Sequence, residues 1–383
     1  MQLDYSEDQL QIRDAVRTLC RGGFAAEAAR WDRDSLVPRH AVGALADAGF
    51  LGMAIPEEWG GLGYDSRTIT MVLEEIASVS AALAIMIAVH NSVGALPVFR
   101  FGTEEQRRRF LPRLVSRELA AFSLSEPGAG SDAGALGSTA VRDGDHYVLN
   151  GSKNWVTNGA QAGVYLIFAR TDPDSGNKGL SAFIVERGAP GLVIGREEDK
   201  MGLRGSDTTA LSLDNLRVPA DQRLGAEGQG FHIAMSMLDA GRIGVAAQAL
   251  GVMRAAFESA VRYAQERQAF GGPIAKIQAV QFKLAEMERR IQAARLLLQR
   301  AAWLKDTGQP YSREASMAKL YATESATWVT HQAVQIHGGY GYVKEYDVER
   351  YYRDARVMEI YEGTSEIQRL VIARSLLKDG VRV

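Results

Sequence analysis

The sequence predicts an α+β protein whose chain runs from helices to strands and back to helices. Three observations predict this order: helical patterns up to about Glu118, short β-branched and aromatic runs between turn residues from about Leu119 to Arg223, and helical periodicity again beyond Gly230. We expect an N-terminal α-helical domain at residues 1–118, a middle domain of antiparallel strands in a sandwich or barrel at 119–228, and a C-terminal helical bundle at 229–383.

The first part carries helix-start signals and one clear break. Thr103 and Gln106 fit a capping box, in which each side chain bonds the other residue's backbone N–H. Proline and glycine at residues 56–63 predict a loop. The apolar run at residues 81–89 is shorter than the roughly 20 residues that span a bilayer, and the acidic start is unlike a targeting peptide. We expect no membrane insertion and a cytoplasmic protein.

The middle part contains short strand patterns. Apolar runs at residues 164–168 and 180–185, and a partly alternating run at 210–219, are separated by Asp, Pro, Ser, Gly and Asn. Asn150-Gly151 suits a two-residue hairpin turn. Strands at this spacing favour antiparallel pairing over βαβ units.

The last part predicts long helices. An apolar stripe runs from Ile274 to Leu304 at three- and four-residue spacing, with Pro273 near its start and Gly308 at its end. Such a helix is stabilised mainly by packing on other helices, so a bundle is expected. Residues 242–265, 313–337 and 364–378 read as its partners; Ser365 and Gln368 fit a capping box for the final helix.

Composition excludes several classes of protein. The chain has 44 Lys plus Arg against 46 Asp plus Glu, so it lacks the basic excess of nucleic-acid-binding proteins. Its one cysteine, Cys20, cannot form an internal disulfide or a multi-cysteine zinc site. His331 and His337 lack the paired spacing of metal ligands, so no metal is expected.

Two segments could approach a flat cofactor. In residues 122–132, small residues would let the backbone come close, and Ser125 and Ser131 add hydroxyl donors, although a plain surface loop fits the composition as well. Its glycines do not complete a dinucleotide fingerprint. Trp155 could cover an aromatic ring with Thr157 on the same strand face, or the pair could belong to the core.

A third candidate is Glu362, which precedes a predicted helix start in an apolar and aromatic setting. Burial raises the pKa of a carboxyl group, which makes its carboxylate a better base near neutral pH. Gly363 would let a ligand pass close to the chain. An ordinary acidic residue at a helix start is the alternative.

Five segments in order carry a resemblance to the acyl-CoA dehydrogenase family: FSLSEPGAGSD at 122–132, WVTNG at 155–159, ERQAFG at 266–271, QIHGG at 335–339 and YEGTSE at 361–366. The resemblance runs over essentially the whole chain and is strongest to short-chain and branched short-chain members. It implies the family fold, with a C-terminal four-helix bundle, one FAD per subunit and a homotetramer that is a dimer of dimers.

The resemblance also implies site residues. FAD would be contacted from the chain's own subunit or a neighbouring one by Phe122, Leu124, Ser125, Gly130, Ser131, Trp155, Thr157, Arg267, Phe270, Gln278, Gln335, Gly338, Gly339, Thr364 and Glu366. Arg267, Phe270, Gln278 and the 335–339 segment would reach the FAD of a neighbouring subunit. Acyl-CoA would be contacted by Ser131, Asp239, Arg242, Glu362 and Gly363.

By the same resemblance, Glu362 would remove the α-proton of an acyl-CoA thioester while the β-hydrogen leaves as hydride to flavin N5, giving a trans-2-enoyl-CoA. Some relatives carry the base on a bundle helix, and the matching position here is Gly241, which cannot serve. Electrons would pass to an electron-transfer flavoprotein, in fatty-acid β-oxidation or branched-chain acyl-CoA catabolism.

Other readings stay open on the sequence. An oxidase that reacts with oxygen, nitroalkane oxidation and a non-enzymatic, DNA-associated flavoprotein are possible on the same scaffold. Glu362 and Arg242 favour acyl-CoA, and the balanced charge disfavours DNA. One or two methylenes of substrate are worth only about 1–3 kcal/mol, so butyryl-, isobutyryl- and medium-chain CoA all remain possible.

Overall fold

The computed structural model describes residues 4–379, so the outermost residues of the first and third predicted domains, 1–3 and 380–383, lie outside it. The order helices, strands, helices is confirmed. The helices before the first strand are α1 (Glu7–Gly23), α2 (Ala28–Asp34), α3 (Arg39–Asp47), α4 (Ser66–Ala77), α5 (Ala81–Val89), α6 (Leu96–Phe101) and α7 (Glu104–Ser116).

Side-chain caps begin several of these helices. The predicted capping box is present at α7: Gln106 N–H donates to Thr103 Oγ1 at 3.2 Å, and Thr103 N–H donates to Gln106 Oε1 at 3.0 Å. Asp65 and Ser80 cap α4 and α5 in the same way, through the N–H groups three residues on. Each cap satisfies an N–H group that the helix itself leaves without a partner.

Helix α5 does not stop where the apolar run ends. It continues through a π-helical turn, His90–Ala95, into α6, so that Ala81–Phe101 is one helical segment of 21 residues. By length and composition this segment could cross a membrane, but 89% of its most apolar window is buried within the protein. It is packed between the other helices of the first domain and a long helix of the bundle, α8 (Gly230–Glu266), as a core helix is.

The middle part is one sheet of eight strands: β1 (Ala120–Ser123), β2 (Thr139–Asp143), β3 (His146–Thr157), β4 (Val164–Arg170), β5 (Leu180–Glu186), β6 (Leu192–Glu197), β7 (Thr208–Pro219) and β8 (Arg223–Leu224). The strand order is β6-β7-β3-β2-β4-β5-β8, with β1 beside β4. Pairing is antiparallel except that β1 and β2 run parallel to β4.

The predicted hairpin at Asn150-Gly151 is wrong. Strand β3 runs straight through these residues, and its register against β7 shifts between Leu149 and Gly151, so the pair forms a bulge. The hairpin turn lies instead at Gly144-Asp145, where Asp143 pairs with His146 and Gly144 has φ +61°. Glycine adopts positive φ without steric cost, which serves a bulge as well as a turn.

Strands β4 and β5 are buried on both faces. Side chains of one face, including Tyr165 and Ile167, pack with β3 and β7. Side chains of the other face, including Leu166 and Phe168, pack with α7 and the start of α8. This two-sided burial explains why both strands read as continuous apolar runs.

The last part is a helical bundle of α8 (Gly230–Glu266), α9 (Gln278–Asp306), α10 (Ser312–His337) and α12 (Ser365–Asp379), with the shorter α11 (Val348–Met358) against α10. A small ribbon, β9 (Gln268–Ala269) with β10 (Gly272–Pro273), joins α8 to α9. The sequence did not predict α11, and α8 begins about twelve residues earlier than expected. Helix α8 also crosses the first domain, which fixes the domains to one another.

A buried charge cluster holds the first domain to the bundle. Arg254 of α8 binds Glu75 of α4 at 2.7 Å, and Arg295 of α9 binds Glu74 at 2.7 Å. Although burial of Glu75 opposes the shift, Arg254 and Arg17 of α1 lower the pKa of its carboxyl group to about 2. Removing one partner of such a pair leaves an unpaired buried charge, so the cluster fixes how α4 sits on α8 and α9.

Candidate active site

The loop from Tyr361 to Thr364, which joins α11 to α12, is the most strained part of the site. Glu362 has φ +50° and Gly363 has φ +94°. Glycine adopts this left-handed region freely, but a glutamate there costs about 1–3 kcal/mol and persists only where its surroundings hold it. Left-handed backbone at a non-glycine residue is concentrated at functional sites.

Two side chains hold the backbone carbonyls of this loop. Lys319 Nζ of α10 donates to Gly363 O at 2.8 Å. Gln368 Nε2 of α12 donates to Gly363 O at 2.8 Å and to Glu362 O at 3.3 Å. The N–H of Glu362, by contrast, donates to no protein acceptor within residues 4–379, so it is available to a ligand.

The predicted cap of α12 is displaced by one residue. Thr364 Oγ1 accepts from Ile367 N–H at 3.3 Å, so Thr364, not Ser365, caps the helix. The hydroxyl of Ser365 is buried without a partner in the described structure, whereas Glu366 is exposed in the first turn. The capping-box pattern fits only Ser365 with Gln368, because Ile367 stands three residues after Thr364. In the structure the Gln368 amide instead donates to the carbonyls of Glu362 and Gly363.

The Glu362 carboxyl group lies in a dry setting. Both of its oxygens are buried, and neither accepts a hydrogen bond from any described residue. Burial raises the pKa of Glu362 to about 7, although the positive charges of Lys319 and Arg242 oppose the rise. A carboxylate with a pKa near the working pH is well matched to proton abstraction. Within residues 4–379, no three His, Cys, Asp or Glu side chains form a metal site.

Gly241 of α8 makes the space for this carboxyl. A side-chain carbon at Gly241 would lie 2.0 Å from Glu362 Oε2 and 3.0 Å from the carboxyl carbon. The position that carries the base in some relatives is therefore in direct contact with the base candidate of this chain. Only glycine leaves room for the carboxyl there.

Asp239 and Arg242 flank Gly241 on α8 and lie one helical turn apart. Arg242 donates to Asp239, and Ser312 Oγ of α10 donates to Asp239 at 2.9 Å. Arg242 is buried, and its Nε has no described partner. The guanidinium of Arg242 places a positive charge near the Glu362 carboxyl. The family resemblance implies that both residues contact acyl-CoA.

The segment after β1 forms a shelf with the end of β3. Asn154 N–H donates to Ser125 O at 2.9 Å, which joins two of the predicted cofactor segments. Beneath them, buried Lys153 binds Glu126 at 2.6 Å and Leu124 O at 3.3 Å. The carboxylate of Glu126 also accepts from the N–H groups of Gly137 and Ser138. The ion pair thus fixes the backbone that carries Ser125.

Trp155 and Thr157 present their side chains on the open side of this shelf. Trp155 has φ +60° and sits in a bulge where the register of β3 against β7 shifts, and its indole is 63% exposed. Thr157 is half-buried next to it, and Gly130 and Ser131 are exposed on the neighbouring loop. An exposed indole held by a strained backbone beside small residues fits a flat aromatic cofactor such as a flavin ring.

The shelf and the Glu362 loop meet at the start of α8. Phe122 of β1 packs against Phe168 with ring centroids 4.9 Å apart, in the core cluster that Leu238 of α8 also contacts. Leu238 lies one turn before Gly241. The first third of α8 therefore carries one flank of the shelf and the floor under Glu362.

The remaining predicted cofactor residues lie at the other end of α8. Arg267, Gly338 and Gly339 line an open cavity of about 520 Å³ with Tyr263, and Arg267 stacks over Tyr340 at 5.5 Å. Phe270, in the β9–β10 turn, is 97% exposed. Gln278, at the start of α9, and Gln335, near the end of α10, are also exposed. Gly338 follows the last residue of α10 and has φ +60°, a backbone angle that glycine adopts freely.

The structure thus divides the predicted residues into two groups. One group surrounds Glu362 and the shelf, and the other surrounds Arg267. From Gly241 to Glu266 the helix runs for about 25 residues, or roughly 37 Å at 1.5 Å per residue. The sequence analysis missed Lys319 and Lys153, because their partners are distant along the chain. It read Gln368 as part of a helix cap and missed its bonds to the carbonyls of the loop.

Comparisons with known proteins identify the family of the chain. Profiles described as the N-terminal, middle and C-terminal domains of acyl-CoA dehydrogenase match residues 6–118, 121–216 and 228–377. The chain is 48% identical to an acyl-CoA dehydrogenase of Bacillus subtilis, covering 97% of this chain and 98% of that protein. It is 47% identical to the mitochondrial short-chain specific acyl-CoA dehydrogenase of Bos taurus, covering 98% and 92%.

A solved structure gives the same picture. The butyryl-CoA dehydrogenase of Megasphaera elsdenii superposes with a TM-score of 0.97 at 42% identity, covering 98% of this chain and all of that one. Members of the matched family are FAD-dependent, so FAD is the cofactor, and the chain is an acyl-CoA-oxidising flavoprotein. With a confirmed α+β fold and three matched domains, the chain belongs to the acyl-CoA dehydrogenase family.

Proposed function

We propose that the protein oxidises short acyl-CoA thioesters to trans-2-enoyl-CoA, with Glu362 as the base. The observation that carries the proposal is the buried, unpartnered carboxyl of Glu362, whose pKa burial raises to about 7. The short-chain preference rests on the relatives, one named as short-chain specific and one as a butyryl-CoA dehydrogenase.

Proton removal from a thioester needs both a base and a donor to the carbonyl oxygen. In the proposed mechanism, a Glu362 carboxyl oxygen takes the α-proton. The unpartnered N–H of Glu362 donates to the thioester oxygen as negative charge develops there. FAD, when bound, supplies the oxidant by taking the β-hydrogen as hydride. Because the carboxyl is shielded from water, its attraction to the proton is not weakened by solvation.

Two groups of residues would hold FAD. The group near the catalytic loop, which includes the shelf, is Phe122, Leu124, Ser125, Gly130, Ser131, Trp155, Thr157, Thr364 and Glu366. The distal group is Arg267, Phe270, Gln278, Gln335, Gly338 and Gly339. Since about 37 Å of α8 separates Gly241 from the distal group, we infer that the distal group serves the FAD of a neighbouring subunit. Arg267 offers paired charge-assisted donors that suit a pyrophosphate.

The thioester would lie between the shelf and the Glu362 loop. Ser131 is exposed on the shelf, where it can reach a polar part of CoA. Asp239 and Arg242 border the base from α8, and Gly363 lets the chain of the substrate pass close to the loop. In this assignment, the Nε of buried Arg242, which has no partner among the described residues, is available to the substrate beside Glu362.

The remaining roles follow from the family. We propose a homotetramer arranged as a dimer of dimers, an electron-transfer flavoprotein as the electron acceptor, and a cytoplasmic place in fatty-acid β-oxidation or branched-chain acyl-CoA catabolism. Exposed apolar side chains on the bundle, including Phe282, Leu370 and Leu377, support association of subunits. The domain bounds 1–118, 119–228 and 229–383 are proposed as working limits.

Anaerobic titration of the FAD-loaded protein with acyl-CoA thioesters of four to twelve carbons tests the proposal. The visible absorbance of FAD should bleach, and it should bleach at the lowest concentration with four-carbon substrates. Dithionite reduction of the same sample provides the control for an accessible flavin. Absence of bleaching with every thioester, while dithionite still reduces the flavin, would refute an acyl-CoA substrate.

A further inference from the structure

Lys319 is a buried lysine outside the residues assigned to the base, to FAD or to acyl-CoA. It lies on α10 and is fully shielded from solvent. A buried ammonium group is costly unless other groups compensate it. Its Nζ donates to the carbonyl of Gly363, but it has no carboxylate within 4 Å among the described residues. The hydrogen bond to Gly363 O and the nearby charge of Glu362 are therefore the interactions that compensate the burial of this ammonium group.

We propose that Lys319 is a positioning residue for Glu362: with Gln368 it clamps the backbone of the catalytic loop, and its charge stabilises the carboxylate form of Glu362. This inference rests on the proposed function, because it assumes that Glu362 is the base. It adds to that function a residue on another helix that controls both the geometry and the charge of the base.

The geometric part of the clamp acts on two consecutive peptide groups. Gln368 holds the carbonyls of Glu362 and Gly363, and Lys319 holds the carbonyl of Gly363 a second time. On the other side, Tyr361 N–H bonds Val357 O at 3.1 Å. Glu362 is therefore held from both directions in a left-handed conformation that it would not keep alone.

Close contact between Gly363 and Gln368 also indicates that the loop is held by the Gln368 side chain. A side-chain carbon at Gly363 would lie 2.6 Å from Gln368 Nε2. The glycine therefore allows the amide to reach both carbonyls, besides supplying its own positive φ. Residues from α10 and α12 thus converge on one short loop.

The electrostatic part concerns the charges around the carboxyl. The charged groups near Glu362 are Lys319 from α10 and Arg242 from α8. Arg242 is already paired with Asp239, whereas the charge of Lys319 faces Glu362 and, at greater range, Glu359 and Glu324. Burial lowers the pKa of Lys319 to about 8, so it remains protonated at neutral pH. Opposite charge nearby favours the ionised form of a carboxyl.

The test compares Lys319→Met and Lys319→Gln with Gln368→Met in the FAD-loaded enzyme. Lys305→Met is the matched control, because Lys305 is also desolvated but bonds Ser66 on another helix. Infrared difference spectra follow the protonated carboxyl of Glu362, identified by its loss in Glu362→Gln, across pH 5 to 9. The acid limb of kcat/KM is measured in parallel, and the visible spectrum reports retained FAD.

Both Lys319 variants should raise the midpoint of the Glu362 carboxyl band and of the acid limb by roughly one pH unit. Gln368→Met should lower kcat with an unshifted midpoint, and Lys305→Met should change neither. Unshifted midpoints in Lys319→Met would overturn the proposal. If Lys319→Met loses FAD, unshifted midpoints in Lys319→Gln would overturn it instead. If both Lys319 variants lose FAD, a kcat of Gln368→Met equal to that of wild type would overturn the proposal that these side chains hold the loop.

Failure of the underlying function gives a different result. Full turnover in Glu362→Gln would remove Glu362 as the base, and the clamp with it. An inactive Glu362→Gln together with unshifted Lys319 variants would refute the clamp and leave the base in place.

Discussion

Glu362 acquires its character from residues on three other elements. Gly241 of α8 gives its carboxyl space, Lys319 of α10 and Gln368 of α12 hold its loop, and the surrounding apolar packing removes water. None of these groups bonds the carboxyl itself, so burial dominates its pKa. At the scale of the residue, a strained backbone and a buried carboxyl group of raised pKa suit Glu362 to the proposed role of base.

The raised pKa of Glu362 predicts the pH dependence of the reaction. Because the base must be ionised, kcat/KM should fall as the pH drops below about 7 and should be constant above it until another group titrates. A pH profile with a four-carbon thioester measures this limb in the free enzyme. An acid limb near the ordinary glutamate value of about 4.3 would contradict the dry setting.

A methyl group at position 241 should displace the base without unfolding the protein. In Gly241→Ala the new carbon would meet Glu362 Oε2, which is the far end of a flexible side chain and can move away. We expect kcat to fall by roughly 100-fold or more with FAD retained, since misplaced catalytic groups lose rates of that order.

Gly43→Ala is the matched control for this substitution. Gly43 lies inside α3, and a side-chain carbon there would meet no atom within 4 Å. Alanine should stabilise that helix by up to about 1 kcal/mol and leave kcat unchanged. Equal activity of the two alanine variants would contradict a tight fit of the carboxyl on α8.

The sequence predicted Glu362 and Gly363 as site residues but not the side chains that hold their loop. Glu362 and Gly363 stand in a motif that can be read along the chain. Lys319 bonds Gly363 across 44 residues, and Lys153 bonds Glu126 across 27. Nothing in the local pattern of either lysine distinguishes it from an exposed one, because only the packing of helices and strands buries it.

At the scale of elements, the π-helical turn His90–Ala95 joins the helical domain to the sheet. His90 Nδ1 accepts from Ala120 N–H at 2.9 Å, so its other ring nitrogen carries the proton and donates to Leu51 O at 3.0 Å. Asn158, next to Thr157, donates to Ala120 O at 3.1 Å. Both the N–H and the carbonyl of Ala120, the first residue of β1, are therefore held by side chains, just before the segment that forms the shelf. Single π-turns are frequent at functional sites.

This arrangement predicts an acid-sensitive contribution to stability. Burial lowers the pKa of His90 to about 4 from 6.5, so the unfolded chain binds a proton that the folded chain does not. Stability should be fully present above about pH 6.5 and should fall as the pH drops toward 4, by up to about 3 kcal/mol.

Urea unfolding of wild type and His90→Gln at several pH values measures this contribution. Glutamine retains a donor and an acceptor but does not titrate, so the variant should lose less stability between pH 6.5 and 4.5. Parallel losses in the two proteins would show that other groups cause the acid sensitivity.

Elements with strong periodicity were predictable, and short or irregular ones were not. Strands β4 and β5 were found because burial on both faces makes them continuously apolar. The bulge at Asn150-Gly151 was read as a turn because the same residues favour both, and pairing with β7 decides between them. Helix α11 was missed because Arg and Asp interrupt its apolar face and ion pairs such as Arg353 with Asp32 satisfy them.

At the scale of the whole molecule, α8 connects the two groups of predicted cofactor residues. Its first third borders the shelf and Glu362, and its end carries Arg267 beside the cavity at Gly338. A single helix that holds both ends rigidly would let each subunit complete the cofactor site of its neighbour. The fold class was predicted from the sequence, and the family resemblance implied that one group of residues serves a neighbouring subunit. The distance between the two groups could be given only from the length of this helix.

Arg267→Ala should weaken FAD retention and the oligomer together. Its guanidinium lines the distal cavity and would reach the cofactor of a neighbouring subunit. Gel filtration with absorbance at the flavin and protein bands measures both properties at once. Arg289→Ala is the control, because Arg289 is an exposed arginine paired on its own helix with Glu286. Full FAD occupancy and an unchanged elution volume in Arg267→Ala would contradict the shared site.

The central claim is that Glu362 removes the substrate proton. The most direct test is anaerobic mixing of FAD-loaded Glu362→Gln with a four-carbon acyl-CoA while the flavin absorbance is followed. The amide has nearly the shape of the carboxyl but no basicity, so we predict bound, yellow FAD and bleaching roughly 1000-fold slower than in wild type. Bleaching at the wild-type rate would show that another group is the base.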